Sequence, residues 1–203
     1  MRIVTIGREF GSGGREIGKR LAEALGAAYY DKEIVTEIAK QSEVNEHYIE
    51  GIFDHGFGAD VISTVGHTLS PSHMLPAPTM KVLEAQRHVI ERLAERDCVI
   101  VGRGADMILK EQNPFRIFVY ADDASKLRRC RERAPEDEHL TDKQLLKKIR
   151  KINKGRKKFY GMYYGAEWGY REEYDLCVNT SGADLAKLAP CIAEYIERWF
   201  EGK

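Results

Sequence analysis

Neither sign of charge is in excess: 32 lysines and arginines stand against 32 aspartates and glutamates, a formal net charge of zero. That balance argues against a surface built to attract nucleic acid or an anionic membrane, and any electrostatic site must be local. Cysteine is scarce as well. The four present (Cys98, Cys130, Cys177, Cys191) show no paired-ligand spacing, which leaves no basis for a zinc site. Cys98 and Cys177 fall in the apolar runs "DCVIVG" and "YDLCVN", where a thiol acts as a small hydrophobe. No apolar run approaches the length of a membrane span, and "MRIVTIGREF" is a strand pattern rather than a signal peptide. The expectation is a soluble, cytoplasmic protein. Its 203 residues suit one domain with a mobile insertion, large enough to bury its core without disulfide staples.

Apolar runs and helical stripes alternate along the chain. "RIVTI" reads as a buried strand, and Arg15 to Leu25 then places Ile17, Leu21, Ala24 and Leu25 on one helical face that ends at Gly26. "AAYY" is a second strand with Asp31 at its carboxyl end, followed by helices from Lys32 to about Gln41 and around "VNEHYIEGIF". The stretch from Asp54 to Pro78 is rich in Gly, Ser and Pro, has weak periodicity, and reads as a mobile insertion. A strong stripe resumes from Thr79 to Arg96. "CVIVG" and "RIFVYA" are near-continuous apolar runs of the kind found in covered parallel strands, "YDLCVN" is a last strand, and Leu185 to Phe200 a closing amphipathic helix. The fold class is α/β: three layers around a central, mostly parallel, five-stranded sheet. Every chemically suggestive stretch falls just after a strand, where open parallel sheets bind ligands.

A further lack sits in the first of these stretches, "TIGREFGSGGREIGKRLAEALG". Its glycines (Gly7, Gly11, Gly13, Gly14) let backbone N–H groups turn inward, and the following helix adds its positive N-terminal end, which makes an anion nest. The usual phosphate-loop pattern, G-x-x-x-x-G-K-[ST], adds a lysine and a magnesium-binding hydroxyl. Aligning Gly13 with the second motif glycine puts Gly14 in the lysine's place. Gly11, Ser12, Gly13, Gly14, Arg15 and Glu16 are therefore the candidate phosphate-binding set. Arg15 is the candidate replacement cation, and Ser12 or Glu16 the candidate metal ligand, directly or through water. An ordinary tight turn with solvated charges explains the same residues, and Arg8 and Glu9 could pair with each other or Arg8 with phosphate.

"VIVGRGADMIL" repeats the strand–turn–helix arrangement. Arg103 at its turn suits bidentate recognition of a monophosphate; a salt bridge to Asp106 or Asp31 is the alternative. Asp31 could hold a substrate hydroxyl or hydrated magnesium, or cap a helix. Asp31, Arg103 and Asp106 form the candidate substrate-binding set. In "SKLRRCRERAPEDEHLTDKQLLKKIRKINKGRKKFY" helical spacing brings Arg128 near Arg131, with Arg129 and Arg133 on an adjacent face. Such a basic pair suits a lid closing over triphosphate; a solvated charged helix is the plainer reading. Tyr160, Tyr163, Tyr164 and Trp168 also interleave aromatics with positive charge, as a nucleic-acid binder would, though neutral overall charge argues against it.

Taken together, "GREFGSGGREIGKRLAEALG", "YYDKEIV", "VIVGRGAD", "RIFVYADDASKLRR" and "YDLCVNTS" resemble the cytidylate-kinase-like branch of the phosphate-loop kinases, in order and over nearly the whole chain. The resemblance implies a single kinase-like domain over 1–203, a helical monophosphate-binding insertion at 44–96 and a basic helical lid at 124–168. It implies ATP as phosphoryl donor with Mg²⁺, and CMP or dCMP as acceptor. Small-molecule nucleotides are then the partners, with no nucleic acid or membrane, and a homo-oligomer is allowed. Asp31, Gly102 and Arg103 match the family's substrate positions. The loop lysine, the serine after Asp31 and the acidic residue before Gly102 do not. Arg128 and Arg131 look like its lid arginines, with Lys154, Arg156 and Lys157 as weaker candidates. A lost phosphate-contacting charge costs roughly a hundredfold or more in rate, so Arg15 or a lid arginine is expected to compensate. A non-catalytic nucleotide-binding module and a kinase for another small hydroxyl compound are the rivals.

Overall fold

The computed structural model describes residues 1–55, 76–134 and 139–202. Most of the 54–78 stretch, residues 56–75, and the largely acidic residues 135–138 lie outside the described residues. Strands β1 (Ile3–Arg8), β2 (Ala28–Tyr30), β3 (Cys98–Val101), β4 (Phe115–Tyr120) and β5 (Leu176–Asn179) form one sheet in the order β2-β3-β1-β4-β5. Every neighbouring pair is parallel. The chain crosses β1 on passing from β3 to β4. The carboxyl end of β1 therefore lies at the switch point, where such sheets leave a crevice.

The period of two along each strand sorts side chains to opposite faces. Val4 and Ile6 of β1 and Val99 and Val101 of β3 meet Ile17 and Leu21 of α1 (Gly14–Leu25) and Ala189, Ile192 and Ile196 of α8 (Leu185–Glu201). On the other face Ile3, Cys98 and Ile100 meet Ile34 and Ile38 of α2 (Glu33–Ser42), Ile49 and Phe53 of α3 (Glu46–His55), and Val82, Leu83 and Ile90 of α4 (Ala77–Leu93). These are the three layers read from the sequence. Each fully buried Ile or Leu contributes about 1.5–3 kcal/mol, so both faces of β1 are anchored before the chain reaches the glycine loop.

Helix ends follow local chemistry. Gly26, in the left-handed region at φ 61°, stops α1 and donates back to Ala22 and Glu23. Helix α6 (Asp123–Glu132) is capped by Asp122, which accepts from the Ser125 amide at 2.7 Å. Helix α7 (Asp142–Tyr164) starts with a capping box between Thr141 and Gln144. Two sequence expectations shift. Helix α4 stops at Leu93 instead of running to Arg96, and Cys177, expected to be a small buried hydrophobe, is exposed because β5 is an edge strand. After β3 the helix is one turn, α5 (Ala105–Ile108).

Candidate active site

The glycine loop leaves β1 and enters α1 through Gly13, whose φ of 85° only glycine adopts cheaply and which offers no side chain to cap the helix. The Phe10 amide donates to Asn153 Oδ1 at 2.8 Å and the Ser12 amide to the Glu9 carbonyl at 3.3 Å. The cradle therefore rests on Gly13, Gly14 and Arg15 at the start of α1. A hollow of about 240 Å³ opens over it, lined by the loop, Arg15, Arg129, Arg133, Lys148 and Arg156. Anions are favoured there by the helix N-terminus and the surrounding cations.

The loop's charges are paired differently from the simplest sequence reading. Arg8 does not bond Glu9. Its Nη2 lies 3.4 Å from Asp31 Oδ1, while Glu9 receives Lys126 Nζ at 3.0 Å. Arg15 Nε lies 2.8 Å from the other oxygen of Asp31. Arg8 is buried; burial above all, then the nearby Arg156 charge, pushes its guanidinium down to about 9, with Asp31 offsetting part of the effect. Asp31 is thus the carboxylate on which two arginines converge.

A second, narrower hollow of about 30 Å³ lies between β1 and β3, lined by Arg8, Phe53, Asp54, Arg103, Arg156 and Trp168 among others. Arg103 occupies the left-handed region at φ 59°, a conformation costly for a non-glycine residue and typical of functional turns. Buried Gln86 holds it there by donating to the Arg103 carbonyl. Neither alternative partner binds it: Asp106 instead accepts the Tyr160 hydroxyl at 2.7 Å, and Asp31 is held by Arg8 and Arg15. Arg103 lies over the Phe53 ring at 5.0 Å, and its buried Nε has no hydrogen-bond partner. Burial lowers its pKa. Buried donors left unpaired are rare and costly, so this one is poised for an anion. Asp54 helps to frame the hollow. Burial raises its pKa, but Arg156 and Arg103 outweigh that and leave its carboxyl below the usual value. Arg156 reaches Asp54 Oδ1 from Nε and Nη2 at 3.0 and 2.9 Å and the Arg8 carbonyl from Nη1 at 2.9 Å.

The basic helices present a different pair of arginines from the one expected. Helix α6 buries Ser125, Lys126 and Arg129. Arg129 reaches the Ser12 carbonyl at 3.3 Å and Thr180 Oγ1 at 3.1 Å, and its other terminal nitrogen donates to the Thr180 carbonyl at 2.6 Å. It ties the glycine loop to the end of β5. Arg133 reaches Glu16 Oε2 at 2.6 Å. Arg128 faces outward beside Glu132 at 3.7 Å, and Arg131 pairs with Asp142 at 2.8 Å; neither lines the hollow. Two of the aromatics after Lys158 pack inward: Tyr160 is buried, and Tyr164 receives Gln86 Nε2 at 3.3 Å and meets Tyr160 edge to face. Trp168 is partly buried against the same core and Tyr163 alone of the four is exposed, so the aromatics do not form a continuous stacking surface.

The family model for the cytidylate kinase-like family matches residues 3–182. The chain belongs to that family. Among solved structures it is similar to an uncharacterized protein from Eubacterium ventriosum, with 27% identity, a TM-score of 0.69, and 97% of this chain and 99% of the other covered. It is also similar in fold to shikimate kinase from Bacteroides thetaiotaomicron (17% identity, TM-score 0.57, 97% and 98% covered). A third likeness is to the Acinetobacter baumannii shikimate kinase in complex with shikimate (17% identity, TM-score 0.53, 97% and 93% covered). A search of curated proteins gave no match. Family and fold together support a small-molecule phosphotransferase using a nucleotide with magnesium. No helix among the described residues is long and apolar enough to cross a membrane.

In this member of the cytidylate kinase-like family, the expected metal ligands are engaged elsewhere. Ser12 is fully buried and its hydroxyl donates to the Glu9 carbonyl at 2.9 Å, and Glu16 is held by Arg20 and Arg133. Among the described residues no cluster of three acidic, His or Cys side chains could hold a metal. The described donor set thus does not fit an all-protein magnesium site. Sequence reasoning missed Asp54, Gln86 and Thr180. Asp54 sits in a stretch read as insertion, Gln86 on a helix read as apolar stripe, and only the quoted "VNTS" marked Thr180.

Proposed function

We propose that the protein transfers the γ-phosphoryl group of Mg²⁺-bound ATP to a nucleoside monophosphate, with CMP or dCMP as the acceptor. One observation carries the reading: the two hollows at the carboxyl edge of the sheet share Arg8 and Arg156 as common walls. A triphosphate laid on Gly11, Gly13, Gly14 and the start of α1 points its last phosphate toward that seam. The narrow hollow has room for an oxyanion rather than a nucleoside, so it takes the acceptor's phosphate. Arg103 supplies its unpaired donor there, and Asp31 places the acceptor beyond it. An acceptor phosphate oxygen attacks the γ-phosphorus, the bond to the β,γ-bridging oxygen breaks, and ADP leaves. No covalent enzyme intermediate is needed, because positioning and charge neutralisation suffice.

Arg15, Arg133 and Lys148 supply neutralising charge around the donor. Arg129 positions the loop through Ser12 and Thr180. Arg128 and Arg131, in this arrangement, contribute only if α6 turns on closure. The small volume of the second hollow favours a second reading, phosphorylation of another compact hydroxyl compound. A coupled ADP-release assay over CMP, dCMP, UMP, AMP, GMP and shikimate separates these readings. The expected result is fastest release with CMP or dCMP. Turnover with shikimate alone supports the second reading, and ATP binding with no transfer to any acceptor supports a non-catalytic module.

A further inference from the structure

Gly14 poses a physical question that the usual explanation of loop glycines does not answer. Gly11 and Gly13 have φ values of 78° and 85° and need glycine for that reason. Gly14 is the first residue of α1 and is absent from the positive-φ positions, so its backbone accepts any L residue. What excludes a side chain there is space. A Cβ on Gly14 would lie 2.7 Å from Arg8 Cβ and 3.2 Å from Arg8 Cδ. At the far end of the same arginine, a Cβ on Gly102 would collide with Arg8 Nη1. The side chain of Arg8 is therefore threaded between two glycines, one from each of the two β-to-α turns.

We infer that Arg8 is the cation that replaces the missing loop lysine, reaching the phosphates from the strand before the loop instead of from the helix after it. Its stem fills the space in which a lysine side chain on residue 14 would begin. Its guanidinium lies at the seam of the two hollows and lines both, where the transferred group passes in the kinase reading on which this inference rests. Its contact with Asp31 is long, at 3.4 Å, and that carboxylate is gripped more closely by Arg15 at 2.8 Å. Arg8 is buried beside Arg156 and Arg103. Three arginines crowded at one edge, with Asp31 and Asp54 between them, are stabilised by an incoming polyanion. Arg15 is the weaker substitute, since its side chain is 44% exposed and engaged by Asp31. A planar guanidinium also grips phosphate oxygens through two parallel hydrogen bonds, which lysine does not.

The test compares calorimetric affinities for the β,γ-imido analogue of ATP and for ADP, so it does not depend on the acceptor. Wild-type protein should prefer the triphosphate. Arg8→Ala should lose that preference by about tenfold or more with ADP affinity nearly unchanged, and should slow transfer to the best acceptor about a hundredfold. Arg8→Gln, which keeps the stem beside Gly14 but removes the charge, should show the same selective loss, and it decides the matter should Arg8→Ala unfold in a thermal melt. The double variant Arg8→Gly/Gly14→Lys, which also removes the Arg8 Cβ that a side chain on residue 14 would meet at 2.7 Å, should regain triphosphate preference and part of the rate. Retention of the preference in Arg8→Ala or Arg8→Gln overturns the inference alone, as does a double variant no better than the single Arg8 variants or a wild type with no preference to lose. A wild type that binds neither nucleotide overturns the kinase reading, and this inference with it.

Discussion

Around the glycine loop the outer wall is backbone and paired charges open to solvent, with buried Arg8 and Arg129 behind it, whereas around Arg103 the walls are buried side chains held by one another. The wide hollow draws on Arg15 and Arg133, whose side chains are 44% and 48% exposed, so its charges re-aim at little cost when a flexible polyphosphate arrives. The narrow one draws on Arg103, fixed by a strained backbone, a buried glutamine and an aromatic ring. A donor common to many enzymes can be held by generic means, while an acceptor must be chosen, and choice needs groups that cannot relax toward the wrong ligand.

The sharpest way to break this comparison is Arg103→Ala. Removing the unpaired buried donor should lower kcat/KM for the acceptor by about two orders of magnitude while leaving ATP-analogue affinity near wild type; steady-state kinetics with calorimetry reads both. Arg156→Ala should damage both hollows, because this residue braces Asp54 and the Arg8 carbonyl together. It should also destabilise the fold by about 2–3 kcal/mol in urea unfolding by leaving Asp54 without its partner. Thr180→Val deletes the hydroxyl that donates to the Ser12 carbonyl at 2.6 Å and accepts from Arg129. A loss of about 1–2 kcal/mol of stability and a several-fold weaker ATP analogue are expected, with acceptor binding spared. Smaller still is the difference between two arginines on α6: Arg133→Ala should raise the KM for ATP several-fold, and outward-facing Arg128→Ala by less.

Two acids sharpen the contrast through pH. Burial raises the pKa of Asp106, and the Tyr160 hydroxyl offsets only part of that. Its ionisation therefore costs stability as pH rises from the unfolded carboxylate value, about 3.9, through the raised folded one. Asp54 is lowered, because Arg156 and Arg103 outweigh its burial; its contribution is present above the unfolded value and is lost as pH falls through the folded one. In acid unfolding series Asp106→Asn should remove a component that stabilises on acidification, and Asp54→Asn one that destabilises. Slopes of the same sign for the two variants would contradict the assignment.

The layers were legible because they follow from local pattern. The near-continuous apolar runs in "RIVTI" and "CVIV" report two covered faces, and Gly26 and Thr141 report helix ends wherever the chain is placed. The cradle was legible for the same reason, since a glycine turn before a helix is a local object. Pairings across strands were not. Arg8 meets Gly102 because β1 and β3 lie side by side, and nothing near residue 8 states that. Which α6 arginines face the hollow is not legible, because the buried face of that helix is Ser125, Lys126 and Arg129, polar residues that give a hydrophobic-stripe argument nothing to read. Asp54 was hidden by the weak periodicity of its surroundings, although it lies within α3.

The central claim is that the two hollows are one continuous site meeting at Arg8 and Arg156. A bisubstrate ligand joining adenosine to cytidine through a polyphosphate bridge, titrated by calorimetry beside ATP and CMP, tests it most directly. The account predicts a dissociation constant at least about a hundredfold below that of either nucleotide, as linkage of two adjoining subsites requires. A bisubstrate that binds no tighter than ATP, and that excess CMP fails to weaken, would contradict it.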